Sequence, residues 1–111
     1  MRQSQSAVIE RGFELDQAHA TEPFEVGWAG EARWFVHFLR EAPNCVVTLQ
    51  VQISPDGINW IDHESVSARE VDAVGFHSIP VSHFGHWLRL RITRVAGDAN
   101  PLVRVYLELK E

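Results

Sequence analysis

Val46-Val47-Thr48-Leu49-Gln50-Val51-Gln52-Ile53, then Ser54-Pro55-Asp56-Gly57, then Ile58-Asn59-Trp60: the reading of this stretch decides the fold. Val47, Leu49, Val51 and Ile53 fall on one face of an extended chain, and Thr48, Gln50, Gln52 and Ser54 on the other. Period-two alternation marks a strand with one dry and one wet face. Ser-Pro-Asp-Gly is a turn with a mechanism. Proline presets φ, aspartate caps locally, and glycine accepts a positive φ as the chain re-enters a strand. Trp60 then anchors the returning arm of a hairpin.

The same alternation recurs on both sides. Ile9, Phe13 and Leu15 fall together in residues 7–17, a first strand bent at Gly12. Residues 18–22 are a polar link. Phe24, Val26 and Trp28 form a second strand. The segment 32–40 is apolar on both faces, with Trp34, Val36 and Phe38 in one row and Phe35, His37 and Leu39 in the other. Residues 61–66 are a mixed strand. Residues 69–79 alternate weakly, and Gly75 and Pro80 mark them as an edge strand or a bulge. Leu88, Leu90 and Ile92 point inward and Trp87, Arg89, Arg91 and Thr93 outward. Val103, Val105, Leu107 and Leu109 close the core. About eight short strands at regular spacing, with no helix pattern, predict an all-β fold: a two-sheet antiparallel β-sandwich of jelly-roll type. A chain of 111 residues suits one such domain, residues 1–111.

Composition narrows the function classes. The net charge of −5 argues against a nucleic-acid partner. Cys45 is the sole cysteine, which excludes an internal disulfide and a cysteine-based zinc site. No stretch approaches the roughly 20 apolar residues of a membrane span. No apolar run of signal-peptide length follows Met1. The expectation is a chain kept in the cytoplasm or carried within a virion-like particle.

Three phrases resemble the C-terminal half of discoidin-type domains, of the galactose-binding-like jelly-roll group. They are Leu49-Gln50-Val51-Gln52-Ile53-Ser54-Pro55-Asp56-Gly57-Ile58-Asn59-Trp60, then Gly85-His86-Trp87-Leu88-Arg89-Leu90-Arg91-Ile92, then Val103-Arg104-Val105-Tyr106-Leu107-Glu108-Leu109. Similar phrases occur in small β-sandwich domains of phage virion and tail proteins. The resemblance covers about half the chain. It implies a jelly roll and a non-catalytic module that binds glycans, lipids or proteins. It does not carry over a ligand, because the ligand loops of that family lie in its N-terminal half, where this chain shows no match. The family's terminal cysteine pair is also missing.

No constellation for catalysis is visible. There is no G-x-S-x-G elbow, and Ser54, Ser65, Ser67, Ser78 and Ser82 are turn or strand-end serines. His63, His77, His83 and His86, with Asp62 and Glu64, lack ligand spacing, so neither a metal nor a cofactor is expected. The aromatics say more. Alternation places Trp28 and Trp60 in the core, whereas Trp87 shares its parity with Arg89 and Arg91 and faces out. Tryptophan and arginine are enriched in binding hot spots. An outward Trp87 either stacks on a partner such as a sugar ring or lies over its own sheet beneath Arg89. Phe35, His37 and Leu39 either pack on another chain or lie beneath segment 7–17. A thin sandwich has one core layer, which favours the partner. The candidate binding residues are therefore Phe35, His37, Leu39, Trp87, Arg89 and Arg91. The reading is a non-catalytic interaction module, a structural or accessory subunit of a larger assembly, with self-association or a protein partner. A carbohydrate-binding module and a small metal-dependent jelly-roll enzyme are the alternatives.

Overall fold

The computed structural model describes residues 2–111. Ten strands are present: β1 Ser4–Glu14, β2 Ala18–Ala20, β3 Phe24–Glu25, β4 Glu31–Arg40, β5 Ala42–Ser54, β6 Ile61–Asp62, β7 Arg69–Ala73, β8 Phe76–Ser82, β9 Trp87–Ala96 and β10 Leu102–Lys110. They form two antiparallel sheets. One has the order β1-β10-β4-β8. In the other, β9 and β5 are the central pair, β2 and β3 flank β9, and β6 and β7 flank β5.

Taking β2 with β3 and β6 with β7 as interrupted single strands gives four strands per sheet. The chain then changes sheet at every connection except the β5–β6 hairpin. That path is the double Greek key of a jelly roll, so the all-β sandwich expected from alternation is the fold observed.

Alternation places the core as expected. Trp34, Val36, Val105 and Leu107 from one sheet and Val47, Val51, Leu88, Leu90 and Ile92 from the other are all fully buried. Each such aliphatic side chain contributes roughly 1.5–3 kcal/mol on leaving water. The turn after β5 is built by its own side chains. Ser54 Oγ accepts the amides of Asp56 (3.2 Å) and Gly57 (2.8 Å), and Asp56 Oδ1 accepts those of Ile58 (2.9 Å) and Asn59 (2.8 Å). Gly57 takes φ +77°, the positive value the turn requires.

Several boundaries differ from the sequence reading. β1 starts at Ser4 and carries register shifts between Val8 and Glu10 and between Glu10 and Phe13. The bend therefore occupies two bulges, of which Gly12 lies in the second. The segment 18–22 is not merely a link, since Ala18–Ala20 pairs with β9. Three residues are too few to show a period. The second strand shrinks to Phe24–Glu25, although Val26 is still buried. Residues 69–79 split at Gly75, φ +74°, into β7 of one sheet and β8 of the other.

Candidate functional site: the two outer sheet faces

The six candidate residues do not converge. Phe35, His37 and Leu39 leave the outer face of the β1-β10-β4-β8 sheet. Trp87, Arg89 and Arg91 leave the outer face of the opposite sheet.

The first face is an aromatic cluster made by register. Tyr106 of β10 lies opposite Phe35 of β4, and Phe76 of β8 lies opposite His37. The Phe76 ring meets Phe35 edge-on at 5.9 Å, His37 at 4.8 Å and Tyr106 in a stacked arrangement at 6.2 Å between centroids. Such pairs add about 0.5–1.5 kcal/mol beyond area burial. Phe76 nevertheless remains 55 % exposed, Val8 49 % and Leu39 36 %. A shallow cavity of about 200 Å³ opens between Ser6, Phe35, Phe76, Tyr106 and Glu108. Segment 7–17 does not cover the face, because β1 joins the same sheet at its edge. Leu39 leans toward that segment, with Cδ1 lying 3.7 Å from where a Cβ at Gly12 would sit. The sequence reading missed Phe76 and Tyr106 as members of this cluster. Their outward parity was the available signal, but only the strand register brings them to Phe35.

The second face is a polar and aromatic network. Arg89 Nε donates to Gln52 Oε1 at 2.7 Å, and Gln52 Nε2 donates to Asp62 Oδ1 at 2.9 Å. The Arg89 guanidinium sits 4.5 Å over the ring of Trp60. Burial first, and then the charge of Arg91, lowers the pKa of Arg89. The ring of Trp60 and the oxygen of Gln52 offset that desolvation. Trp60 is thus a half-buried residue of the outer face and not part of the core. Arg89 stacks on Trp60 rather than on Trp87. Trp87 packs against the bare backbone of Gly57, where a Cβ would lie 3.4 Å from the indole. Each indole therefore has one face occupied by its own chain. Arg91 is exposed, opposite Gln50 and Ala20.

The histidines serve separate local roles. His63 is a buried clip: Nε2 donates to the Ser82 carbonyl at 2.7 Å, and Nδ1 accepts the Ser65 amide at 3.0 Å. These partners assign the proton to Nε2. His77 Nε2 bonds the Val74 carbonyl at 2.8 Å, and His86 Nε2 lies 2.9 Å from Glu25 Oε1. Among the described residues no group of three or more His, Cys, Asp or Glu side chains is placed to hold a metal ion. A cavity of about 430 Å³ beside His63 is lined by Glu31, Arg33, Ser65, Pro80, Glu108 and Lys110.

Residues 36–111 match the family described as "Domain of unknown function (DUF6385)". The chain belongs to this family. The DUF6385 match runs from within β4 to the end of the chain; it takes in His37, Leu39, Phe76 and Tyr106 of the first face and Trp87, Arg89 and Arg91 of the second, but not Phe35 or the strands β1 to β3. No curated protein matches the sequence. Among solved structures, the PBSX exported protein XepA superposes with TM-score 0.67 and 14% identity over 95% of this chain. This chain spans only 36% of XepA. The SPBc2 prophage-derived protein YomS superposes with TM-score 0.61 and 8% identity, over 100% of this chain and 96% of that one. The Bacillus endospore appendage protein, described as a disulfide-linked pilus, gives TM-score 0.55 and 9% identity over 98% and 89%. At such identities the likeness is one of fold: a β-sandwich shared with an exported protein, a prophage-derived protein and a pilus protein. It does not single out the discoidin type.

Proposed function

We propose that this chain is a non-catalytic interaction module, a structural or accessory subunit of a larger virion-like or exported assembly. It docks a protein partner through the outer face of the β1-β10-β4-β8 sheet. The observation that carries the reading is the aromatic face itself. Phe76, Val8 and Leu39 are exposed beside Phe35 and Tyr106, although the same strands fill the core with their inward rows. An exposed apolar patch rimmed by charge marks a protein-binding surface, and here Arg33, Arg104, Glu108 and Lys110 supply the rim. The prophage-derived, exported and pilus proteins that share the fold support an assembly role. The DUF6385 family brings no activity with it.

The test is a benzophenone side chain introduced at position 76 and cross-linked in the cell of origin, followed by reconstitution with the purified captured protein. Phe76→Asp and Phe35→Ser are expected to weaken that binding at least tenfold while the circular dichroism at the assay temperature stays that of the folded protein. Binding indifferent to both substitutions would overturn the reading.

A further inference from the structure

An antiparallel sandwich has four sheet edges, and each must be blunted against pairing with another chain. Three of them are. Along β8 the backbone groups that point away from the sheet are those of 76, at the strand's start beside the Gly75 turn, and of 78, 80 and 82. Arg69 Nη1 donates to the Ser78 carbonyl at 2.8 Å, Pro80 has no N–H, and His63 Nε2 takes the Ser82 carbonyl at 2.7 Å. In the other sheet, β2 and β3 are three and two residues long. At its far edge β6 has two residues and β7 five, and β7 carries Arg69, Glu70 and Asp72.

The remaining edge is β1, and it is guarded over only half its length. Beyond Val8 it bulges twice, and the Glu10 carboxylate takes His19 at 3.0 Å and the Glu22 amide at 3.3 Å. Before that lies Ser4-Gln5-Ser6-Ala7-Val8, five residues in unbroken register with β10, with no charge and no proline. The Gln3 carbonyl accepts the Glu111 amide at 2.9 Å, which makes that pair a hydrogen-bonded one. Bonded pairs recur at every second residue of an antiparallel ladder. Gln5 and Ala7 therefore bond β10, and the N–H and C=O groups of Ser4, Ser6 and Val8 point away from the sheet.

We propose that residues 4–8 pair edge to edge with the same segment of a second copy, across a two-fold axis at Ser6. This goes beyond the docking face and does not depend on it. The segment is self-complementary in the required way. Antiparallel pairing about Ser6 sets Ser4 opposite the partner's Val8 and Gln5 opposite the partner's Ala7. It completes roughly six backbone hydrogen bonds, two for each of the three outward-facing pairs, and no like charges meet. The axis runs perpendicular to the sheet. The joined sheet has eight strands, and both aromatic faces look the same way. A five-residue ladder buries less than the ~1,000 Å² of a stable interface, which sets a weak, reversible dimer at about 10–500 µM protein.

The decisive experiment combines sedimentation equilibrium with residue-resolved amide exchange over that concentration range. We expect the amides of Ser4, Ser6 and Val8 to gain protection with concentration, while those of Gln5 and Ala7 stay protected throughout. Ser6→Pro removes an outward N–H that β10 does not use, and Ser6→Lys sets two ammonium groups face to face. Each should raise the dimer dissociation constant at least tenfold with the fold intact by circular dichroism. Phe76→Asp, which disables the aromatic face, should leave the dimer constant within twofold. A monomer across the range, free exchange at Ser6 at every concentration, or a dimer lost with Phe76→Asp but not with Ser6→Lys would each overturn the proposal.

Discussion

His63→Ala should cost the fold far more than its place in the link between two short strands suggests. The imidazole side chain is 1 % exposed, and it joins the loop after β6 in one sheet to the end of β8 in the other. Losing the bonds to the Ser82 carbonyl and the Ser65 amide removes about 1 kcal/mol each. Emptying the space of a buried ring adds about 1 kcal/mol more, at the low end of large-to-small truncations because the loop can partly collapse. The sum is about 3 kcal/mol. For a domain near 110 residues that corresponds to a melting temperature lower by about 12 °C. Calorimetry and urea unfolding measure it, and the urea slope should not change. The competing explanation is the contact with Glu64, whose carboxylate lies 3.7 Å from Nδ1 and is 71 % exposed. Nδ1 already accepts the Ser65 amide, so Glu64→Ala should alter stability by less than 0.5 kcal/mol. A loss below 1 kcal/mol for His63→Ala, or equal losses for the two variants, would refute the clip.

Three further outcomes follow from the same geometry. Leu90→Ala, at a fully buried position, should cost about 2–5 kcal/mol, and its exposed neighbour Arg91→Ala should stay within about 0.5 kcal/mol by urea titration. Gly97→Ala should destabilise by well over 1 kcal/mol, since φ is +90° and a Cβ would lie 2.6 Å from Cys45 Sγ; Gly75→Ala, at φ +74° with open space around it, should cost only about 1 kcal/mol. The Asp56 carboxyl is held well below its ordinary pKa by the amides of Asn59 and Ile58 and the side chains of Asn59 and Ser54. A depressed folded-state value stabilises fully above the unfolded value near 3.9 and is lost as pH falls toward the folded one. The stability gap between wild type and Asp56→Asn should therefore be full at pH 7, begin to narrow only below about pH 4 and go on shrinking as the pH falls further, measured as urea midpoints.

How much of this was legible in the sequence depends on the range of the interaction concerned. The rows Val47-Leu49-Val51 and Leu88-Leu90-Ile92 are local facts, and period two placed them correctly inside. The Ser54–Gly57 turn is equally local. His63 was not legible, because its partner Ser82 lies 19 residues away and no local pattern reports that distance. Trp60 was misplaced for a related reason. The strand after the turn has only two residues, Ile61 and Asp62, so parity could not be carried from β5 across the turn to the tryptophan. The site was half visible in the same way: parity sent Phe35 and His37 outward, but only the register of β4 with β8 and β10 gathers Phe76 and Tyr106 around them.

The interior of the sandwich leaves no room for the inward-facing metal site of a jelly-roll enzyme. An inward-facing metal site needs two or three histidines converging in the interior with room for a substrate. Here the inward rows of β4, β5, β9 and β10 are closed by Trp34, Leu49, Leu90 and Leu107, each at most 1 % exposed. His37 faces outward from β4, and His63 has both ring nitrogens engaged with backbone groups at the edge. With the interior filled, recognition is left to the outsides of the sheets and to their edges. The two faces differ in how far they are already satisfied. Arg89 spends its hydrogen bond on Gln52 and its charge on Trp60, so the second face is largely paired within the chain. The first face ends in Phe76, Val8 and Leu39, which stay exposed despite the contacts they make within the sheet. That contrast supports the proposed docking through the β1-β10-β4-β8 side, and it predicts that Arg89→Ala will change stability while Phe76→Asp weakens partner binding.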